Sequence, residues 1–128
     1  MNNRAKGAGT MGISFEIDTE EGVIYCIAEG KIGLAELQTY VADLRADPSF
    51  SRDLALIIEF RLAQQNITDE EVKALASALP LDNARRLAMV ADGPNRDLAL
   101  RYKELVKEKI PVEVFTDFGS ARKWVISD

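Results

Sequence analysis

The sequence predicts an α/β domain of the order β-β-α-β-α-β-α-β-α, a mixed, mostly parallel five-stranded sheet with flanking helices. Three observations lead there. Residues 13–18 alternate apolar and polar side chains, short apolar runs recur later in the chain, and each later run is preceded or followed by a stripe of helical period. Strands alternating with helices at this spacing imply right-handed crossovers and parallel pairing, antiparallel only at the first hairpin.

Each element has its own signal. Ile13, Phe15 and Ile17 alternate with Ser14, Glu16 and Asp18, a strand with one wet face. The turn Thr19-Glu20-Glu21-Gly22 leads to Val23-Ile24-Tyr25-Cys26-Ile27-Ala28, apolar throughout and therefore expected to be covered on both faces. Leu34, Leu37, Val41 and Leu44 then form a helical stripe that Asp47-Pro48 closes, since proline disfavours α conformation in the residue before it. Leu54-Ala55-Leu56-Ile57-Ile58, ending in Glu59-Phe60-Arg61, reads as a central parallel strand. Thr68-Asp69-Glu70-Glu71 is a capping box opening a second helix with Val72, Leu75, Ala76 and Leu79 inward and Pro80 as its stop. Residues 86–91 make a fourth strand, followed by a turn at Asp92-Gly93-Pro94-Asn95 and a third helix with Leu98, Tyr102, Leu105 and Val106 inward. Val112-Glu113-Val114-Phe115 is the last strand, a turn spans 117–120, and Ala121, Trp124 and Val125 face inward from a C-terminal helix.

Composition bounds the function. A chain of 128 residues, 47% of them hydrophobic, can hold one apolar core, burying roughly two-thirds of its unfolded surface. Residues 1–12 lack apolar periodicity and are expected to be a flexible leader to a single domain at 13–128. The net charge of -5 argues against nucleic acid as a partner. With no histidine and one cysteine, Cys/His zinc sites, Ser-His or Cys-His nucleophile pairs and internal disulfides are excluded. No apolar run approaches the roughly 20 residues of a membrane helix, so no integral membrane segment and a cytoplasmic location are expected.

Several side chains invite a functional reading beside a plainer one. Glu59, Asp92 and Asp117 fall at the carboxyl ends of three strands, where open α/β sheets bind ligands, and three carboxylates there suit Mg²⁺. The plainer reading makes Asp92 and Asp117 turn residues and Glu59 a partner of Arg61. Gly93-Pro94-Asn95-Arg96 offers amides and a guanidinium to an anion, or is an ordinary βα turn. Arg101, Lys103, Lys107 and Lys109 lie among Glu104 and Glu108, which reads as a solvated face or as a dock for an acidic partner. Cys26 reads as a small buried hydrophobe, and Phe118 and Trp124 as residues closing one end of the core or anchoring a partner.

The element order, with Gly30-Lys31-Ile32 before the first helix, Asp47-Pro48-Ser49-Phe50 after it, Arg86-Leu87-Ala88-Met89-Val90 as fourth strand, and Val114-Phe115-Thr116-Asp117 before Ala121 and Trp124, resembles the SpoIIAA-like fold of STAS domains. More closely it resembles small stand-alone bacterial SpoIIAA-like proteins related to STAS and CRAL-TRIO domains. The resemblance implies a sequentially ordered sheet and a role in binding or regulation rather than catalysis, with no cofactor. In anti-sigma-factor antagonists of this kind a phosphorylatable Ser stands in an Asp-Ser-[Ser/Thr]-Gly loop after the third strand. Here that stretch reads Gln64-Gln65-Asn66-Ile67-Thr68-Asp69, without Ser or Gly, so the phosphoserine switch does not carry over. Thr68 stands at a comparable position, as a helix cap or as a phosphorylation site.

The functional expectation is therefore a non-catalytic regulatory module that binds a protein partner. The alternative is a domain for a small apolar ligand or lipid, in a pocket that opens beside the second helix. A carboxylate or Mg²⁺-dependent enzyme is a remote third reading. The candidate interaction residues are Leu62, Ala63, Ile67, Thr68, Leu81 and Arg96. Leu62, Ala63, Ile67, Leu81 and Leu100 fall outside the inward stripes, and a contiguous patch made of them would be covered by homodimerisation.

Overall fold

A computed structural model describes residues 12–51, 53–78 and 84–127. Five strands, β1 (Ile13–Asp18), β2 (Val23–Ile32), β3 (Ala55–Gln65), β4 (Leu87–Val90) and β5 (Val112–Phe115), form one sheet in the order β1-β2-β3-β4-β5. Only β1 and β2 are antiparallel; every other pairing is parallel. Between the strands run α1 (Leu34–Ala46), α2 (Asp69–Ala78) and α3 (Gly93–Val106), and α4 (Phe118–Ile126) closes the chain. The α/β class, element order and strand order are those expected from the sequence.

Alternating strand positions divide the sheet between two unequal cores. Residues such as Phe15, Ile24, Leu56 and Met89 point to one face, where α1, α2 and α3 cover them with Tyr40, Leu44, Val72, Leu75, Leu98 and Tyr102. The opposite residues of the central strands, Val23, Ala55, Ile57, Ala88 and Val90, pack against Ala121 and Val125 of α4. Two arginines fasten that single helix. Arg85 donates to the carbonyl of Val125 at 2.7 Å and Arg86 to that of Trp124 at 2.6 Å, both at the end of α4 where carbonyls lack intrahelical partners. The Arg86 guanidinium also lies 5.0 Å from the Trp124 ring centroid.

The turn after β1 is built on Asp18, whose carboxylate accepts from the amides of Glu20 and Glu21. Residues 1–11 of the expected leader lie outside the described residues. Gly12, its last residue, is tied in: its carbonyl accepts from the Glu29 amide at 2.6 Å. Its φ of +87° and the Glu29 carbonyl 2.5 Å from where a Cβ would sit both require glycine.

Four expectations need correction. First, β2 and β3 are longer than their apolar runs, because residues 29–32 of β2 pair with 62–65 of β3 beyond the ends of β1 and β4. Leu62 and Ala63, which fall outside the inward stripes of the sequence, are thus strand residues of β3. Second, β2 is not covered on both faces, since Ile27 is exposed. Third, Leu105 faces solvent and Ala99 takes its place in the core beside Leu98, Tyr102 and Val106. Fourth, α4 begins at Phe118, inside the expected turn, because Asp117 acts as its N-cap and accepts from the Ser120 amide at 2.8 Å.

Candidate functional site

The covering of the second face is incomplete, and that produces the most distinctive surface of the molecule. Among the described residues, α4 packs over β3, β4 and β5 and reaches β2 at Val23 and Tyr25, leaving the same face of β1 and of the far end of β2 without a helix. On it lie Ile27 (44% exposed), Leu62 (61%) and Phe118 (37%). Strand register groups them: Leu62 is opposite Glu29, two residues along β2 from Ile27, and Tyr25, two residues the other way, has its ring 6.0 Å from that of Phe118. Charged pairs frame the strip. Arg122 of α4 bonds Glu21 and, at 3.2 Å, the Tyr25 hydroxyl, which in turn donates to Glu21. Partial burial, together with the Glu21 carboxylate, pushes the Tyr25 phenol above its ordinary pKa.

On the other side of Ile27, its β3 neighbour Glu59 forms a fork with Arg61: Nε and Nη2 of Arg61 donate to the two Glu59 oxygens at 2.9 and 2.8 Å. Arg61 reaches on to the Thr116 carbonyl at 3.3 Å. The pair exists because β3 carries a bulge: between the pairs Ile27–Glu59 and Glu29–Leu62, the one β2 residue Ala28 is opposed by two on β3, Phe60 and Arg61. The Arg61 amide freed by the bulge donates to the Glu59 carboxylate at 3.0 Å. Burial works to raise the Glu59 pKa, but the bonds from Arg61 outweigh it and hold the carboxyl below its ordinary value of 4.5. Asp92 and Asp117 add to the field that keeps the Arg61 guanidinium charged. Glu59 is thus not at a strand end as the sequence suggests but midway along β3, level with Val90 at the end of β4, and its partner is a cation supplied by the chain; among the described residues no group of three or more His, Cys, Asp or Glu is placed to hold a metal. Asp117 is further committed to Ser120, whose amide and hydroxyl hold its pKa low.

The candidate interaction residues separate. Leu62 is on the open face. Ala63 and Ile67 are each 7% exposed and belong to the main core, so the contiguous patch expected from Leu62, Ala63, Ile67, Leu81 and Leu100 is not formed. Leu81 lies outside the described residues. Leu100 sits elsewhere, in a groove between α2 and α3 with Leu105. Thr68 is exposed and closes the capping box: its Oγ1 accepts from the Glu71 amide at 3.2 Å while Glu71 accepts from the Thr68 amide at 3.0 Å. Arg96 is exposed at the start of α3.

The residue that sequence reasoning missed is the one before Arg96. Asn95 is buried and its Nδ2 donates to the carbonyls of Phe60 and Ala63, both at 2.8 Å. These carbonyls flank the bulge beyond the end of β4, so the side chain stands in for a strand that stops short. A Gly-Pro-Asn string before a helix signals a turn and does not reveal where the amide points. The basic residues of α3 are spent locally: Arg101 pairs with Asp69, Lys103 with Glu113, Lys107 with Glu104, and Lys109 donates to the Ala76 carbonyl. Cys26 is buried 2.8 Å from the Tyr40 hydroxyl, and burial pushes its thiol up to about 12, so it is no nucleophile. Trp124 packs on Phe115 over the second core.

No protein-family model matches the chain, and no curated protein does. Among solved structures the chain is similar to an uncharacterised DUF3478-family protein with a SpoIIAA-like fold from Shewanella loihica PV-4, with 15% identity over 89% of this chain and 94% of that one and a TM-score of 0.62. It is also similar to an anti-sigma factor antagonist from Mycobacterium paratuberculosis, with 18% identity over 90% of this chain and 95% of that one and a TM-score of 0.58. The fold is SpoIIAA-like, as the element order and local strings suggest. Among the described residues no helix is long and apolar enough to cross a membrane.

Proposed function

We propose that this chain is a non-catalytic, cytoplasmic regulatory module that docks a protein partner on the open half of its sheet. The observation that carries this reading is the strip of Ile27, Leu62 and Phe118 held in solvent on rigid elements and framed by paired charges, the make-up of an interface core with a polar rim. The anti-sigma factor antagonist with the same fold supports a regulatory role. Without a Ser at the start of α2, docking is not governed by a phosphoserine there, and Thr68 serves as a cap. The partner is a different protein or a second copy, the homodimer that the sequence suggests now resting on this face rather than on the flanks of α2.

Ile27→Lys with Leu62→Lys is the test, each lysine opposite a glutamate, Glu59 and Glu29. Both side chains are exposed, so thermal melts of the double variant are expected to match the parent within about 0.5 kcal/mol. Sedimentation velocity then decides on a second copy: a dimer lost in the double variant places a second copy on the strip. If the chain is a monomer, a partner isolated from its own host and purified is expected to bind the double variant at least about tenfold more weakly. Equal binding to parent and variant, or a dimer indifferent to the change, overturns the assignment of this face.

A further inference from the structure

Sheets with parallel crossovers bury both faces under helices, and on the second face of this one α4 is the one helix among the described residues. Packed helices stand roughly 8–10 Å apart, about two strand spacings. A helix set beside α4, which packs on β3, β4 and β5, would therefore lie along the far end of β2, over the apolar strip. The length agrees. The strip runs from the level of Glu29, paired with Leu62, to that of Tyr25, whose ring meets Phe118. Those four strand residues span about 13 Å, and apolar side chains at i, i+3 or i+4, and i+7 of a helix span about 10 Å.

Charge selects what fits there. By register Glu16 and Asp18 of β1 share the face with Tyr25 and Val23, and Glu29 lies on it beside Leu62. The arginines are spent within the chain: Arg61 forks onto Glu59 and reaches the Thr116 carbonyl, and Arg122 is held by Glu21 and the Tyr25 hydroxyl. Lys31, two residues beyond Glu29, is the one further cation on this face among the described residues. Glu16, Asp18, Glu21, Glu29 and Glu59 therefore outnumber Lys31, Arg61 and Arg122, and the face is acidic around its apolar strip. A second copy would set that excess against itself, because a two-fold contact pairs one surface with its own image. We infer that the partner presents a basic amphipathic helix, seated beside α4 with its apolar stripe on Ile27, Leu62 and Phe118 and its Lys and Arg residues toward β1. This rests on the docking reading above and names the chemistry of the partner.

The test uses two synthetic peptides of about 14 residues, roughly four helical turns. They share a stripe of Leu and differ only in whether Lys or Glu fills the flanking polar positions. NMR titration of the full chain with the Lys peptide is expected to give saturable shifts at Ile27, Leu62 and Phe118, and its Glu twin is expected to bind at least about tenfold more weakly. Glu16→Gln with Glu29→Gln is expected to weaken the Lys peptide about three- to tenfold at about 50 mM NaCl and by less at about 500 mM, where the Debye length is only about 4 Å. Equal affinity for the two peptides, shifts elsewhere on the molecule, or no saturable binding overturns the basic helix. Ile27→Thr with Leu62→Thr, neutral and suited to strands, separates that failure from failure of the face. Peptides that bind alike and are both lost in this variant would leave the face as a docking surface that does not read charge; peptides that bind the variant as they bind the parent would remove the face as well. A dimer of the parent lost in the same variant would seat a second copy on the strip, overturning the helix and keeping the face.

Discussion

Asn95 and Thr68 both satisfy backbone groups with a side chain, yet their contributions differ because of where those groups lie. The carbonyls of Phe60 and Ala63 are held by one buried amide, so Asn95→Ala leaves two acceptors orphaned in the interior. The expected loss is about 2–4 kcal/mol in urea melts, two net hydrogen bonds plus the desolvation of what remains. Thr68 caps an exposed helix start that water reaches, and Thr68→Ala is expected to cost about 0.5–2 kcal/mol. A Thr68→Ala protein of full stability would show that the box contributes nothing. Glu59 and Asp117 make a prediction of a different kind. Both carboxyls sit below their ordinary values in the folded chain, so the folded state binds fewer protons than the unfolded one in acid. Their contribution is intact above the ordinary values of 4.5 and 3.8 and is lost as pH falls through the lowered folded ones. Urea melts from pH 7 to pH 3 are expected to show Glu59→Gln with a shallower acid loss than the parent; identical slopes would remove Glu59 from the account.

At the scale of elements, the period of the pattern decides what can be read from sequence. β1, β5 and α1 follow their apolar spacing closely, and the capping box at Thr68 marks the start of α2 within one residue. β3 runs on beyond its apolar run because the extra residue of its bulge leaves two exposed positions, Arg61 and Leu62, between buried Phe60 and Ala63 and so breaks the alternation, while residues 62–65 pair with β2. The open face was illegible for a related reason: an apolar run says a strand can be buried on both sides, while the span of α4 decides whether it is. In α3, Leu98, Tyr102, Leu105 and Val106 all fit one helical stripe by spacing, but a helix seated on a sheet buries a narrower arc, and Ala99 falls in it where Leu105 does not. Leu98→Ala is therefore expected to cost about 2–5 kcal/mol and Leu105→Ala less than about 0.5. Comparable losses at the two sites in denaturant melts would mean that Leu105 is covered in solution, by the groove it shares with Leu100 or by another chain.

Across the whole molecule, the carboxyl ends of β4 and β5 lie level with Glu59, midway along β3, at the edge where parallel sheets collect ligands. Sequence spacing brought Glu59, Asp92 and Asp117 to that edge but did not say what lies among them; only the bulge, which turns Arg61 back onto Glu59, supplies the answer. A guanidinium fixed there by two carboxylate oxygens and the Thr116 carbonyl compensates the acidic field without a metal. A divalent ion would have to displace Arg61 and recruit carboxylates already committed, Asp117 to Ser120 and Glu59 to the bulge amide. Thermal melts in millimolar Mg²⁺, Ca²⁺ or Mn²⁺ are accordingly expected to coincide with the melt in EDTA. Arg61→Ala is the informative companion: with the cation gone, the edge has an unbalanced negative charge, and any affinity for Mg²⁺ that the carboxylates possess should emerge in that variant. Stabilisation of the parent by more than about 2 kcal/mol, the linkage expected of a site filled at roughly a hundred times its dissociation constant, would show instead that the guanidinium yields to metal. Its loss in Glu59→Gln would locate that metal at the β3 bulge.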